Sequence, residues 1–202
     1  MKRIVFATGN EGKLREIRMI LADMGWEIVS MKEAGVRADI EETGTTFEEN
    51  ALIKVRAVAA QAEGKIGSGD LVMADDSGLE VDYLNKEPGI YSSRYMGEDT
   101  PYSVKNANIL ERMEGVPMEQ RTARFVCAMA ALLPDGREIV VRGVIEGVIG
   151  YEQRGVNGFG YDPIFYVPEI GKTTSEITEE EKNLVSHRGK ALQLMKEELG
   201  KI

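Results

Sequence analysis

The chain has 202 residues, 43% apolar and 29% charged, which excludes a disordered tail, a collagen-like rod and a disulfide scaffold. Its 25 lysines and arginines against 34 aspartates and glutamates leave a formal charge of −9, and this argues against a nucleic-acid polymer as partner, whose phosphates need a basic surface. The lone Cys127 makes no internal bridge, no Cys/His cluster is spaced for zinc, and no apolar run approaches the roughly 20 residues of a membrane span.

A reducing cytoplasm fits this cysteine usage. The start, Met1-Lys2-Arg3 and a short apolar stretch ending at Ala7, is too short for a signal peptide. Arg3 to Ala7 reads as a buried strand and Thr8-Gly9-Asn10 as the turn after it. Leu14, Ile17, Ile20, Leu21 and Met24 then recur at helical spacing, with Gly25 as the stop. Trp26 to Val29 is a second strand, and strand–helix–strand is the opening of an α/β domain with parallel strands.

Glu41-Glu42-Thr43-Gly44 is a polar loop. Thr45 and Thr46 each precede a glutamate by three residues, so either can cap a helix running to about Glu63, with Gly64 ending it. Leu71 to Ala74 is a strand, with Asp75-Asp76-Ser77-Gly78 as the turn at its end. Pro88-Gly89 marks another turn. Thr100 as N-cap and Pro101 at the first helical position start a helix that Gly115 ends. Arg121–Leu133 and Arg137–Val148 form a hairpin through Pro134-Asp135-Gly136. A glycine-dense loop from Gly155 to Asp162 precedes a strand from Pro163 to Val167. The last segment is helical in two pieces, the first capped by Thr178 with Glu181 and the second by Ser186. Repeats, linkers and low-complexity tracts are absent from the sequence.

Five stretches carry chemistry-bearing residues. Thr8-Gly9-Asn10-Glu11-Gly12-Lys13 joins a strand to a helix start, where free N–H groups and the helix dipole favour a phosphate. It lacks Walker A spacing, and a plain strand–helix turn with a surface lysine accounts for the same residues. Asp75 and Asp76 at a strand end are placed to share a hard cation such as Mg²⁺ or to take a proton from water; an ordinary turn uses the same residue types. Asn50 and Lys54 lie on one helix face beside Phe47 and Ala57, so Lys54 is either a phosphate ligand or a snorkelling surface lysine. Phe159-Gly160-Tyr161-Asp162-Pro163 has the makings of a loop over a flat ring, with Asp162 accepting ring or ribose hydrogen bonds, or of a rigid turn. Ser186-His187-Arg188-Gly189 and Lys182 group donors for a base edge or phosphate at a helix kink. Cys127 in an apolar strand reads as a buried small hydrophobe.

In this order, the five motifs resemble the inosine/xanthosine triphosphate pyrophosphatase family over nearly the whole chain. The matching stretches are Ala7 to Lys13; Glu41 to Gly44 with Phe47, Glu49, Asn50 and Lys54; Ala74 to Leu79 with Val81 and Asp82; Pro88 to Tyr91 with Ser93, Arg94 and Tyr95; Gly158 to Phe165; and Glu180 to Lys182 with Ser186 to Gly189. The resemblance implies an α/β fold with an elongated mixed sheet flanked by helices. It implies one domain over residues 1–202, in two lobes with the active-site cleft between them. It implies hydrolysis of inosine, deoxyinosine and xanthosine triphosphates to the monophosphate and pyrophosphate, a homodimer in the cytoplasm, and Mg²⁺, with Mn²⁺ able to replace it.

Carried over residue by residue, Thr8, Gly9, Asn10, Glu11, Gly12 and Lys13 bind the triphosphate. Glu42 and Asp76 hold the metal, and Asp76 accepts the proton of the attacking water. Lys54 neutralises phosphate charge and Ser77 touches substrate near the metal. Phe159, Gly160, Tyr161, Asp162, Lys182, His187 and Arg188 form the base pocket. Two other readings compete: a pyrophosphatase preferring modified pyrimidines, separated by a substrate panel, and a non-hydrolytic nucleotide-binding regulator, separated by binding without turnover.

Overall fold

A computed structural model describes residues 2–62, 64, 67 and 69–201. The continuous apolar run Ile4-Val5-Phe6 gives β1 (Arg3–Phe6), which pairs in parallel with β2 (Glu27–Ser30) and with β3 (Leu71–Val81). Between β1 and β2 lies α1 (Glu11–Ile20), followed by a 3₁₀ turn, Ala22–Met24. The helix expected through Met24 therefore tightens after Ile20, and Gly25 at φ 65° closes the 3₁₀ turn. Next comes α2 (Phe47–Gln61), where Thr46, not Thr45, is the N-cap: its hydroxyl accepts from Glu49 N. The Glu49 carboxylate reaches back to Thr45 N at 2.7 Å. The expected end at Glu63 lies outside the described residues.

Two expectations change and one strand is added. The turn expected at Asp75–Gly78 is uninterrupted strand, β3 running on to Val81. Helix α3 (Tyr102–Arg112) has Pro101, not Thr100, at its N-cap; the Thr100 hydroxyl donates back to Met96 O at 2.7 Å and so does not cap. A short strand β7 (Lys172–Thr173), without a sequence signal of its own, follows β6 (Phe165–Val167). The hairpin is as expected: β4 (Thr122–Leu132) and β5 (Glu138–Ile149) are neighbours, and Leu133 N donates to Arg137 O across the turn at 2.9 Å. Gly136 there takes φ 87°, a conformation that glycine adopts without strain. Two helices end the chain, α4 (Glu179–Val185) with the full Thr178/Glu181 capping box and α5 (His187–Leu199).

Among the described residues, seven strands form one mixed sheet in the order β2-β1-β3-β4-β5-β6-β7, with β5–β6 and β6–β7 antiparallel. The chain divides into two compact units. The first comprises Met1–Asp76, Cys127–Gly143 and Arg188–Ile202; the second comprises Ser77–Val126 and Val144–His187. Each has its own core. In the first, Ile4, Phe6, Leu71, Met73, Cys127 and Met129 of the strands meet Leu14 and Ile17 of α1 and Ala191, Leu192 and Met195 of α5. In the second, Leu79, Val81, Phe125, Ile145 and Phe165 meet Ile109 and Met113 of α3. Burial of each large aliphatic side chain contributes about 1.5–3 kcal/mol. Cys127 is fully buried, as a small hydrophobe would be. No helix among the described residues is long and apolar enough to cross a membrane.

Candidate active site

The β1–α1 turn in the first unit is built by its own side chains. Asn10 is the N-cap of α1: its Oδ1 accepts from Lys13 N at 3.1 Å, while Asn10 N donates to Thr8 Oγ1 at 3.1 Å. This places Lys13 in the first helical turn, and its Nζ reaches Asp75 Oδ2 of β3 at 2.8 Å. Arg188 approaches the same oxygen at 3.6 Å and forms a buried ion pair with Glu16 of α1. Burial alone would push the Asp75 carboxyl up, but the charges of Lys13, Arg188 and Lys54 outweigh it and hold the group well below the usual carboxylate range.

The next residue works on the opposite face, because successive strand side chains alternate. Leu71, Met73 and Asp75 face α1 and α5; Asp76 faces α2. Lys54 of α2 places its Nζ 2.7 Å from Glu42 Oε1, 3.0 Å from Asp76 Oδ1 and 3.1 Å from Asp75 O. Asn50, one turn earlier, donates to Asp76 Oδ2 at 3.1 Å and accepts from Gly44 N at 2.9 Å, so one buried amide ties the acidic loop to the strand. Gly44 is required there, since a Cβ would lie 2.6 Å from Asn50 Oδ1. Burial, reinforced by Glu42, lifts the Asp76 carboxyl above its ordinary value against the pull of Lys54 and Asn50. Burial lowers Lys54, but Asp76, Asp75 and Glu42 together raise it on balance, so it stays charged.

The expectation that Asp75 and Asp76 share one cation is therefore corrected: each has its own lysine on its own side of the sheet. The pair that converges is Glu42 with Asp76, both on the Lys54 ammonium. Two carboxylates from separate segments aimed at one cationic point suit a hard, oxygen-seeking ion. Among the described residues no cluster of three or more His, Cys, Asp or Glu is gathered for a metal.

In the second unit the Phe159–Asp162 segment is held from within. Asp162 is almost fully buried; its Oδ2 accepts from Lys182 Nζ at 2.7 Å and Phe159 N at 2.9 Å, and its Oδ1 accepts from Thr174 Oγ1 at 2.7 Å. Tyr161 is a core residue whose hydroxyl donates to Ser92 O at 2.7 Å. Both point inward and shape the loop that carries Phe159. Phe159 is half-buried, with Lys182 Nζ 4.6 Å from its ring centre. Gly158 and Gly160 both take positive φ, which lets the segment turn so tightly. His187 stacks on Phe125, ring centres 4.8 Å apart. Ser77 lies on β3, partly buried. Arg188 is 2% exposed and engaged with Glu16 and Asp75.

Sequence reasoning missed Glu16, Asn106 and Thr174. Two of them had a signal. Glu16 stands between the buried Leu14 and Ile17, and Asn106 lies one turn before Ile109 and two before Met113, so both are polar residues on an apolar helix face. Thr174 had none.

Residues 4–198 match the model of the Ham1 family. A protein of Exiguobacterium sibiricum named dITP/XTP pyrophosphatase is 46% identical over 190 residues, covering 94% of this chain and 93% of that one. A Clostridium perfringens protein of the same name is 46% identical, with 98% of each chain covered. The solved structure of a HAM1 protein from Coxiella burnetii superposes with a TM-score of 0.87 at 41% identity, each chain covered in full.

Proposed function

Because this chain belongs to the Ham1 family, we propose that it hydrolyses non-standard purine nucleoside triphosphates, inosine, deoxyinosine and xanthosine triphosphate, to the monophosphate and pyrophosphate. The observation that carries this reading is the convergence of Glu42 and Asp76 on Lys54, on the same unit as a helix start bearing Lys13. Such displacement is mostly positioning and charge stabilisation. A triphosphate brings about four negative charges near neutral pH. Lys13, Lys54 and the first-turn N–H groups of α1 neutralise and orient them, with Thr8, Gly9, Asn10, Glu11 and Gly12 shaping the turn.

Asp75 keeps Lys13 in place and Arg188 acts through Asp75. Glu42 and Asp76 would hold Mg²⁺, with Mn²⁺ as substitute, and the ion would supply neutralisation of the triphosphate charge. Asp76, whose carboxyl is already lifted, takes the proton of the attacking water as its oxygen bonds to phosphorus. The phosphoanhydride bond between the α- and β-phosphates breaks, and pyrophosphate departs with the electron pair. Ser77 touches the substrate near the metal. In the second unit, Phe159 and Gly160 cover the flat base while Lys182 and His187 supply donors to it. A purine O6 is an acceptor where adenine has an amino donor, so donors here favour hypoxanthine and xanthine.

The test is a pyrophosphate-release assay with Mg²⁺ across inosine, xanthosine, adenosine, guanosine, cytidine and uridine triphosphates, with Asp76→Asn as control. Release concentrated on inosine and xanthosine triphosphates and lost in the variant is the expected result. Orthophosphate release, or a preference for a pyrimidine, would refute the assignment.

A further inference from the structure

We propose that Asn106 is a positioning residue that fixes the Gly160–Tyr161 peptide and thereby sets the choice of purine; this rests on the proposed function. Asn106 lies on α3 in the second unit and is 1% exposed. Its Nδ2 donates to Gly160 O at 3.1 Å, while its Oδ1 is buried with no hydrogen-bond partner. A buried acceptor left unpaired is unfavourable, and a leucine of similar size would avoid it. The side chain is therefore matched to its donor, and that donor grips one carbonyl.

That carbonyl belongs to the most permissive point of the segment. Gly160 sits at φ 68°, and without a Cβ the peptide after it can flip. The neighbouring groups fix other points: Asp162 holds Phe159 N, and Ser92 O holds the Tyr161 hydroxyl. From α3, the Tyr102 ring meets Tyr161 edge-on at 5.2 Å, and Lys105 lies 4.8 Å over Tyr102 while donating to Ser93 O at 2.6 Å. None of these contacts decides which way the Gly160 carbonyl points; Asn106 does. In a trans peptide C=O and N–H point in opposite directions, so holding Gly160 O toward α3 turns Tyr161 N–H away from it. Where the loop that covers the base meets it, the backbone donor and acceptor of this peptide suit O6 over an amino group only while they keep their places. A flipped peptide exchanges them.

The experiment compares wild type, Asn106→Leu and the isosteric Asn106→Asp by steady-state kinetics on inosine and adenosine triphosphates, by thermal unfolding, and by amide hydrogen exchange over residues 159–162. Both variants should raise KM for inosine triphosphate at least tenfold with kcat within threefold, and cut the inosine-over-adenosine ratio of kcat/KM at least tenfold. Exchange at 159–162 should quicken, while Tm of the leucine variant stays within about 3 °C of wild type, since it removes an unpaired acceptor. An unchanged base ratio, or unchanged exchange at 159–162 in both variants, overturns the inference. A wild-type protein inactive on every triphosphate fails the proposed function and carries purine selection down with it. An active wild type whose variants keep their selectivity overturns the role of Asn106 alone.

Discussion

Replacing Lys54 with methionine isolates the energetics of the acidic site, because it keeps an unbranched side chain, one atom shorter, and removes the ammonium with its charge and its hydrogen bonds. The Lys54 side chain is 12% exposed, that of Asp76 8% and that of Glu42 20%, so the cluster is largely dry. Removing one member of a buried ion pair leaves an uncompensated charge at a cost of about 3–5 kcal/mol, and the residual exposure places this case near ~3 kcal/mol. At about 2–4 °C per kcal/mol for a chain of this size, Tm should fall by roughly 6–12 °C at pH 8. The deficit should also depend on pH. The Asp76 carboxyl already stands above its ordinary value, and losing Lys54 lifts it further. A carboxyl raised in the folded state contributes stability that is present below its unfolded value and is lost as pH rises through its folded value. The variant's deficit therefore grows from pH 4 to pH 8. Saturating Mg²⁺ should recover more Tm in the variant than in wild type, since the ion replaces the missing positive charge. Thermal unfolding by circular dichroism at several pH values, with and without Mg²⁺, measures all of this. A Tm within 2 °C of wild type at pH 8, or a deficit that is larger at pH 4, would refute the reasoning.

The same linkage predicts that Asp76→Asn abolishes pyrophosphate release yet unfolds at a Tm equal to or above wild type at pH 8, its advantage shrinking toward pH 4; a Tm several degrees lower at pH 8 would count against the raised carboxyl. Arg188→Leu should cost about 3–5 kcal/mol in urea unfolding, because Glu16 and Asp75 are left buried without it. The double variant with Glu16→Leu should lose clearly less than the sum of the two single changes, and strict additivity would mean that the pair does not act as a unit. Gly158→Ala and Gly136→Ala both force a side chain into positive φ, at roughly 1–2 kcal/mol. At Gly158 the new methyl also strikes the Asp162 carboxylate, which Lys182 and Phe159 N hold fast, whereas at Gly136 it meets open space. Gly158→Ala should therefore lower Tm distinctly more; equal shifts would mean that the Asp162 carboxylate yields.

Much of the fold follows from local rules. The β1–α1–β2 opening, the hairpin at Pro134–Gly136 and the Thr178 capping box are each written in residues close to one another, where periodicity, turn chemistry and capping act within a few positions. Asp75-Asp76-Ser77-Gly78 misled because its residue types favour a turn in isolation. It stays extended because Lys13 and Arg188 compensate one carboxylate, Lys54 and Asn50 the other, and all four come from distant positions. Strand β7, two residues long, is too short to carry a period of its own.

The candidate site divides in the same way. The sequence by itself singled out the candidates, namely Lys13 at a helix start, the acidic loop at Glu42, Lys54 on a helix face, Asp76 after an apolar run and Phe159 among glycines, because each depends on residue type and near spacing. Only the tertiary structure decided which way they point. It set Asp75 and Asp76 on opposite sides of the sheet, turned Tyr161 and Asp162 inward, and enclosed Arg188 between Glu16 and Asp75. Those outcomes hang on charge partners far away in sequence, up to 172 positions for Arg188 and Glu16, and a buried charge takes the orientation in which its partner waits.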